Sequence, residues 1–168
     1  MSKGGLDLES MLANLPDGWT RTEPTSAMRL AQVSLAAAAG DKNPAELAMF
    51  HFPGTGGSAA ANIERWQNQF TGPKGQPGSQ SAQTDTMMVG LFTVITTDVT
   101  GTQIASGGMT GSGPATDLSN MRMIASVIET PSGNWFIKAV GPVKTMSAHE
   151  SRIRDFIKRA RVKELEHN

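Results

Sequence analysis

Residues Ala45 to Phe70 read AELAMFHFPGTGGSAAANIERWQNQF, and this stretch prescribes a strand, a glycine-rich corner and a helix. Leu47, Met49 and Phe52 supply apolar contacts to the strand, and Pro53-Gly54 ends it, because proline removes a ladder donor and glycine stiffens nothing. Ser58 stands where a helix N-cap belongs: its hydroxyl can accept from an amide two or three residues on, and three alanines follow as strong helix formers. Ile63, Trp66, Gln67 and Phe70 then recur at i, i+3, i+4 and i+7. The expectation is that Gly54, Gly56 and Gly57 let the backbone pivot so that Trp66 and Phe70 are seated inside the molecule.

Upstream, Leu8, Met11, Leu12 and Leu15 have helical spacing, and Pro16-Asp17-Gly18 closes a short N-terminal helix. Trp19 opens an entering strand that Pro24 interrupts. Met28 to Leu35 alternates with a slip at Gln32, and the turn 40–44 makes it a hairpin partner of the Ala45 strand. Downstream, Gly72 to Asp85 has no large apolar residue and reads as a mobile surface loop. Met87 to Thr97 is apolar on both faces over part of its length, as in one central strand covered on two sides. Ser106 to Asn120 is a second glycine-rich loop. Arg122–Thr130 and Asn134–Val140 flank Pro131-Ser132-Gly133, a hairpin signal. Met146, Ile153, Phe156, Ile157 and Ala160 form one stripe of a terminal helix that Thr145 or Ser147 can cap. The organisation is an N-terminal helical segment (1–18), one α+β domain (19–160) and a charged tail (161–168), with hairpin-linked strands giving an antiparallel β-sheet covered by helices.

Lys plus Arg and Asp plus Glu balance at 15 each, which opposes nucleic-acid binding, since that needs a basic footprint. The absence of cysteine excludes disulfides, thiolate metal sites and cysteine nucleophiles. No apolar run reaches membrane-spanning length, so no membrane insertion is expected. The chain as written has no export signal and reads as cytoplasmic, or as periplasmic or lipoprotein if a signal segment was trimmed.

The corner Gly54-Thr55-Gly56-Gly57-Ser58 invites an anion-binding reading, because free amides at a helix start attract negative charge. It lacks the Lys-Ser/Thr of a phosphate loop, and Ala59 stands where a dinucleotide fingerprint wants glycine. A structural corner is therefore preferred. The alternative is a small-ligand or anion-binding protein or enzyme that uses Gly56, Gly57 and Ser58 with Arg65 and His51. Asn62, Arg65, Trp66 and Gln69 could face a ligand; more simply, Trp66 is core, Asn62 bonds the preceding loop and Arg65 pairs with an acid such as Glu46. His51, His149 and His167 have no ligand spacing, so no metal or cofactor is expected. Met87, Met88, Met109, Met121 and Met123 read as core fillers rather than a Cu(I) site. Ser58 is not in a G-x-S-x-G elbow, and the acid pairs Asp7/Glu9 and Glu164/Glu166 are terminal, so no catalytic set emerges.

MR-L-A-Q-V, AELAMFHF, GTGGSAAANIERWQNQF and WFIKAVGPVKT with its terminal helix together resemble a bacterial, planctomycete-type family, many of whose members carry an export or lipoprotein signal. The element order also resembles the Mog1/PsbP-like α/β/α sandwich. That resemblance implies a non-enzymatic binding or assembly module with an unknown protein partner, and leaves the oligomeric state open. The long glycine-rich loops 72–85 and 106–120 are where a partner is expected to engage, since loops on a rigid scaffold carry recognition.

Overall fold

The computed structural model describes residues 7–25, 29–52, 58–72, 74–90, 92–104, 118–130 and 133–159. Along the chain lie α1 (Leu8–Leu12), β1 (Trp19–Thr22), β2 (Ala31–Leu35), β3 (Ala45–Phe52), α2 (Ala59–Gln67) and β4 (Phe70–Thr71). There follow α3 (Gly78–Ser81), β5 (Gln83–Val89), β6 (Phe92–Gln103), β7 (Leu118–Thr130), β8 (Gly133–Pro142) and α4 (Val143–Lys158). Every strand pairing is antiparallel, in the order β1-β2-β3-β8-β7-β6-β4, with β5 also on β6. The architecture is α+β. Its long-range closure is β3 against β8, where Ala48 faces Lys138 and Phe50 faces Phe136.

Alternation divides the sheet residues between two cores. On one side Leu47, Met49, Ile124, Ile128, Ile137 and Ala139 meet Met146, Ile153, Phe156 and Ile157 of α4 and Met11 and Leu12 of α1. On the other, Val99, Met123, Ala125, Val127 and Phe136 meet Ile63 and Trp66 of α2 and Phe70. Trp66 and Phe70 are both buried, as the sequence predicts.

The expected hairpins β2–β3 and β7–β8 form, with Thr130 opposite Gly133. Four expectations need correction. Phe70 belongs to β4 rather than to the helix, which ends at Gln67; pairing with β6 positions the short strand, and the ring is buried in the second core. Met87–Thr97 is not one strand but a hairpin. Val89 pairs with Phe92, and Gly90 at φ +61° supplies a turn conformation that a β-branched or bulky residue resists. The stretch 72–85 carries α3 and the start of β5, pinned because the Gln67 amide donates to Thr84 Oγ1 (3.1 Å) and Thr97 Oγ1 (2.8 Å). The fourth concerns the alternation read from Met28: β2 begins at Ala31, and Leu30 before it is 44% exposed. Of the second glycine-rich loop, residues 105–117 lie outside the described residues, and Leu118–Asn120 open β7.

α4 starts without a side-chain cap of its own. Asp41 serves instead, accepting from the Thr145 amide (3.1 Å) and from its hydroxyl (2.5 Å), so the β2–β3 turn is tied to the helix start. An acid at a helix start also suits the partial positive charge there. Asp41→Ala is expected to lower stability by about 1 kcal/mol, the usual loss for a cap, read as an earlier urea midpoint with unchanged slope.

Candidate functional site

Within β8, Phe136, Lys138 and Val140 share the α2 side, whereas Trp135, Ile137 and Ala139 face α4. A lysine is thereby placed among aromatic and aliphatic side chains. Lys138 Nζ donates to Gln69 Oε1 at 2.9 Å and stands 5.7 Å from the centre of the Trp66 ring. No carboxylate among the described residues pairs with it. Burial first, then the charges of Arg29 and Arg65, push its pKa down to about 8.

The two arginines are held differently. Arg65, near the end of α2, donates to Asn62 Oδ1 at 2.5 Å and to no acid among the described residues. Arg29 pairs with Glu46, donates to Gln32 Oε1 (3.0 Å) and lies 6.0 Å from the centre of the Phe50 ring. Gln32 is the hub of this corner: buried, it also accepts from the Thr25 amide (3.0 Å) and hydroxyl (3.2 Å) and donates to Glu46 Oε2 (3.4 Å).

This arrangement corrects the pairing of Arg65 with Glu46, because Asn62 holds the one and Arg29 the other. Asn62 Nδ2 does bond back to the Ser58 carbonyl (3.1 Å). Of the site read from Gly56, Gly57, Ser58, Arg65 and His51, the described residues do not place His51 and Arg65 on the same face of the sheet. Ser58 Oγ accepts from the Ala61 amide (3.1 Å), as a helix cap. His51 has the parity of Leu47 and Met49 and stacks on Trp135 at 4.0 Å, so it lies on the α4 side of the sheet, opposite Arg65. Gly54, Gly56 and Gly57 lie outside the described residues.

His149, read from the sequence only as lacking ligand spacing, is a buried residue of α4. Trp19 Nε1 donates to its Nδ1 (3.1 Å), which leaves Nε2 to donate to the Ala36 carbonyl (2.9 Å) in the neutral tautomer. Met88 is no core filler, being 62% exposed, whereas Met123 is fully buried; Met109 lies outside the described residues. Lys138 itself was legible as the polar interruption of NWFIKAV, on the parity of Phe136 and Val140.

On the α4 side, Arg122 bridges Asp98 (2.6 Å) and Glu150 (2.7 Å), and Arg154 bridges the same two acids at 3.0 Å each. The hydrogen bond to Asp98 raises the Arg122 pKa, and Arg122 holds the Glu150 carboxyl below its usual range. Charges so evenly matched clamp the helix to the sheet. They leave no unpaired group for chemistry.

No cluster of three His, Asp or Glu side chains among the described residues could hold a metal, and no helix there is long and apolar enough to cross a membrane. A cleft of about 410 Å³ opens between Arg21, Thr22, Glu23, Pro24, Leu30 and Ala31, at the β1–β2 edge of the sheet and away from Lys138.

No family model matches the chain, and no curated protein does. Solved structures do. The protein of unknown function PA94 from Pseudomonas aeruginosa superposes with a TM-score of 0.55 at 9% identity, over 88% of this chain and 99% of that one. LpqN of Mycobacterium tuberculosis, described as involved in cell envelope biogenesis, superposes with a TM-score of 0.56 at 12% identity, over 90% of this chain and 82% of that one. At such identities the likeness is one of fold.

Lys138 has a consequence for stability. Its folded pKa of about 8 lies below the unfolded value of 10.5. Between those values the unfolded chain binds a proton that the folded chain does not, so stability contributed at this site rises with pH through that window. Lys138→Met removes the cation's penalty. The variant's advantage over the wild type in urea unfolding is expected to shrink between pH 8 and 10, by no more than about 1 kcal/mol per pH unit.

Proposed function

We propose that the protein is a non-enzymatic binding or assembly module built on a Mog1/PsbP-like sandwich, and that its partner engages the part of the sheet beyond α2. The observation that carries this reading is an asymmetry of cover. α2 packs over β6 and β7 and rests Trp66 on Phe136 of β8, while the same face of β1–β3 presents Thr20, Thr22, Ser34 and Glu46, exposed or half-buried around the buried Gln32 and Ala48, with no described helix above them. Polar side chains on a fixed sheet form a recognition surface whose shape is set before binding, which limits the ordering cost. Two proteins of this fold are described respectively as a candidate regulator and as involved in cell envelope biogenesis, and neither description names a reaction.

The test is comparative capture on immobilised chain. A partner retained by the wild type and by Arg152→Glu on α4, but lost with Ser34→Arg and Glu46→Arg, supports the module. Retention that is indifferent to the β2–β3 substitutions, or sensitive to Arg152→Glu instead, overturns it.

A further inference from the structure

We propose that Lys138 and Arg65 form a binding site for an oxyanion, a carboxylate or a phosphate, carried on a molecule with an apolar body. The inference deepens the reading of this sheet face as a recognition surface and rests on it.

The first ground is the charge left over. Arg29 and Glu46 neutralise each other, and Gln32 occupies the remaining oxygen of Glu46. Lys138 and Arg65, whose charges repel, are left among the described residues with amide oxygens alone as partners, Gln69 Oε1 and Asn62 Oδ1. An ammonium has three donors and a guanidinium five, so most of their hydrogen-bonding capacity remains for an acceptor from outside. The second ground is burial. Lys138 is partly shielded between Trp66 and the sheet, where a charge without a counter-ion is costly and where an incoming anion gains more than it would in open water. The third is the wall beside it. Phe50, half-buried on the same face of the sheet, offers apolar surface suited to the body of a ligand whose charged head meets Lys138. The amine's proton lies within reach of neutral pH, and an anion that favours the charged form must by linkage bind less well as pH climbs through about 8.

The experiment titrates the full chain at pH 7 with octanoate, octyl phosphate, inorganic phosphate and, as the uncharged control, octyl glucoside. Binding is followed by tryptophan fluorescence and by the shifts of the Gln69 side-chain amide. Saturable binding of octanoate or octyl phosphate is expected, weakened about tenfold or more in Lys138→Gln, several-fold in Arg65→Gln, and between pH 7 and 9 in the wild type. Which of the two charged probes binds tighter separates carboxylate from phosphate, and inorganic phosphate alone should bind more weakly than either. Both variants should keep the wild-type circular dichroism, Arg65→Gln in particular because it lies on the open side of α2. No saturable response at about 10 mM of any charged probe, equal affinity in Lys138→Gln, or octyl glucoside binding as well as octanoate would each overturn the site, the first because such weak contacts fall below the millimolar range of specific recognition. Because the probes are small molecules, these outcomes are independent of whether the protein partner is captured.

Discussion

Trp66→Ala is expected to destabilise the fold by about 3–5 kcal/mol, the range for removing a large aromatic from a core. Trp66 is 7% exposed and meets Phe136 edge to face at 5.2 Å, with an interplanar angle of 83°. It is the largest side chain that α2 contributes to the second core, beside Ile63 and in the same cluster as Phe70. Removal deprives Phe136 of its aromatic neighbour and opens a void over β7 and β8 that a nine-residue helix cannot collapse to fill. For a domain of marginal stability that is a large fraction of the total, equivalent to a melting temperature lower by roughly 10 °C. Trp66→Phe, which keeps an aromatic ring, should cost clearly less. A loss below about 1 kcal/mol for the alanine variant in urea unfolding would mean that α2 does not seal this face.

Gly78→Ala should cost about 3 kcal/mol, although a surface-loop reading of 72–85 would predict almost nothing. A Cβ at Gly78 would lie 1.9 Å from the Gln67 carbonyl oxygen and 2.9 Å from that of Phe70, and both are backbone atoms. The clash cannot be relieved by turning a side chain. Either α3 must lift away from the end of α2, or β4 must leave β6, and the Gln67 bonds to Thr84 and Thr97 loosen with them. Gly75→Ala is the internal comparison. Gly75 has φ +75° but nothing within 4 Å of an added Cβ, so only the left-handed backbone penalty of roughly 1–2 kcal/mol applies. Equal losses at the two positions, measured by thermal and urea unfolding, would show that the Gly78 contact is not formed.

The elements with strong local signals were legible in the sequence, and those set by long-range pairing were not. Ser58 does cap α2, Thr130 and Gly133 do close the β7–β8 hairpin, and Met146, Ile153, Phe156 and Ile157 do form the buried stripe of α4. The run 87–97 misleads because its apolar residues continue on both sides of Gly90, and only the backbone conformation there reveals two strands. Segment 72–85 has too few apolar groups to order itself; it is ordered by Gln67 and by the carbonyls it abuts, partners that no local pattern reveals. The candidate site shows the same limit. Parity places His51 with Met49, but nothing near them in sequence says that α4 covers that side while α2, which carries Arg65, covers the other. Lys138 meets Gln69 across 69 positions of chain, through a pairing of β3 with β8 that neither segment announces.

The Lys138 side chain joins the fold to the proposed oxyanion site, and its protonation can be observed directly. In chain labelled with ¹⁵N and ¹³C at lysine, the resonance that vanishes in Lys138→Gln should titrate with a midpoint near 8. A midpoint at or above the ordinary lysine value of 10.5 would place the amine in open solvent or beside an acid, and would contradict the half-buried, acid-free cation on which the proposed oxyanion site is built.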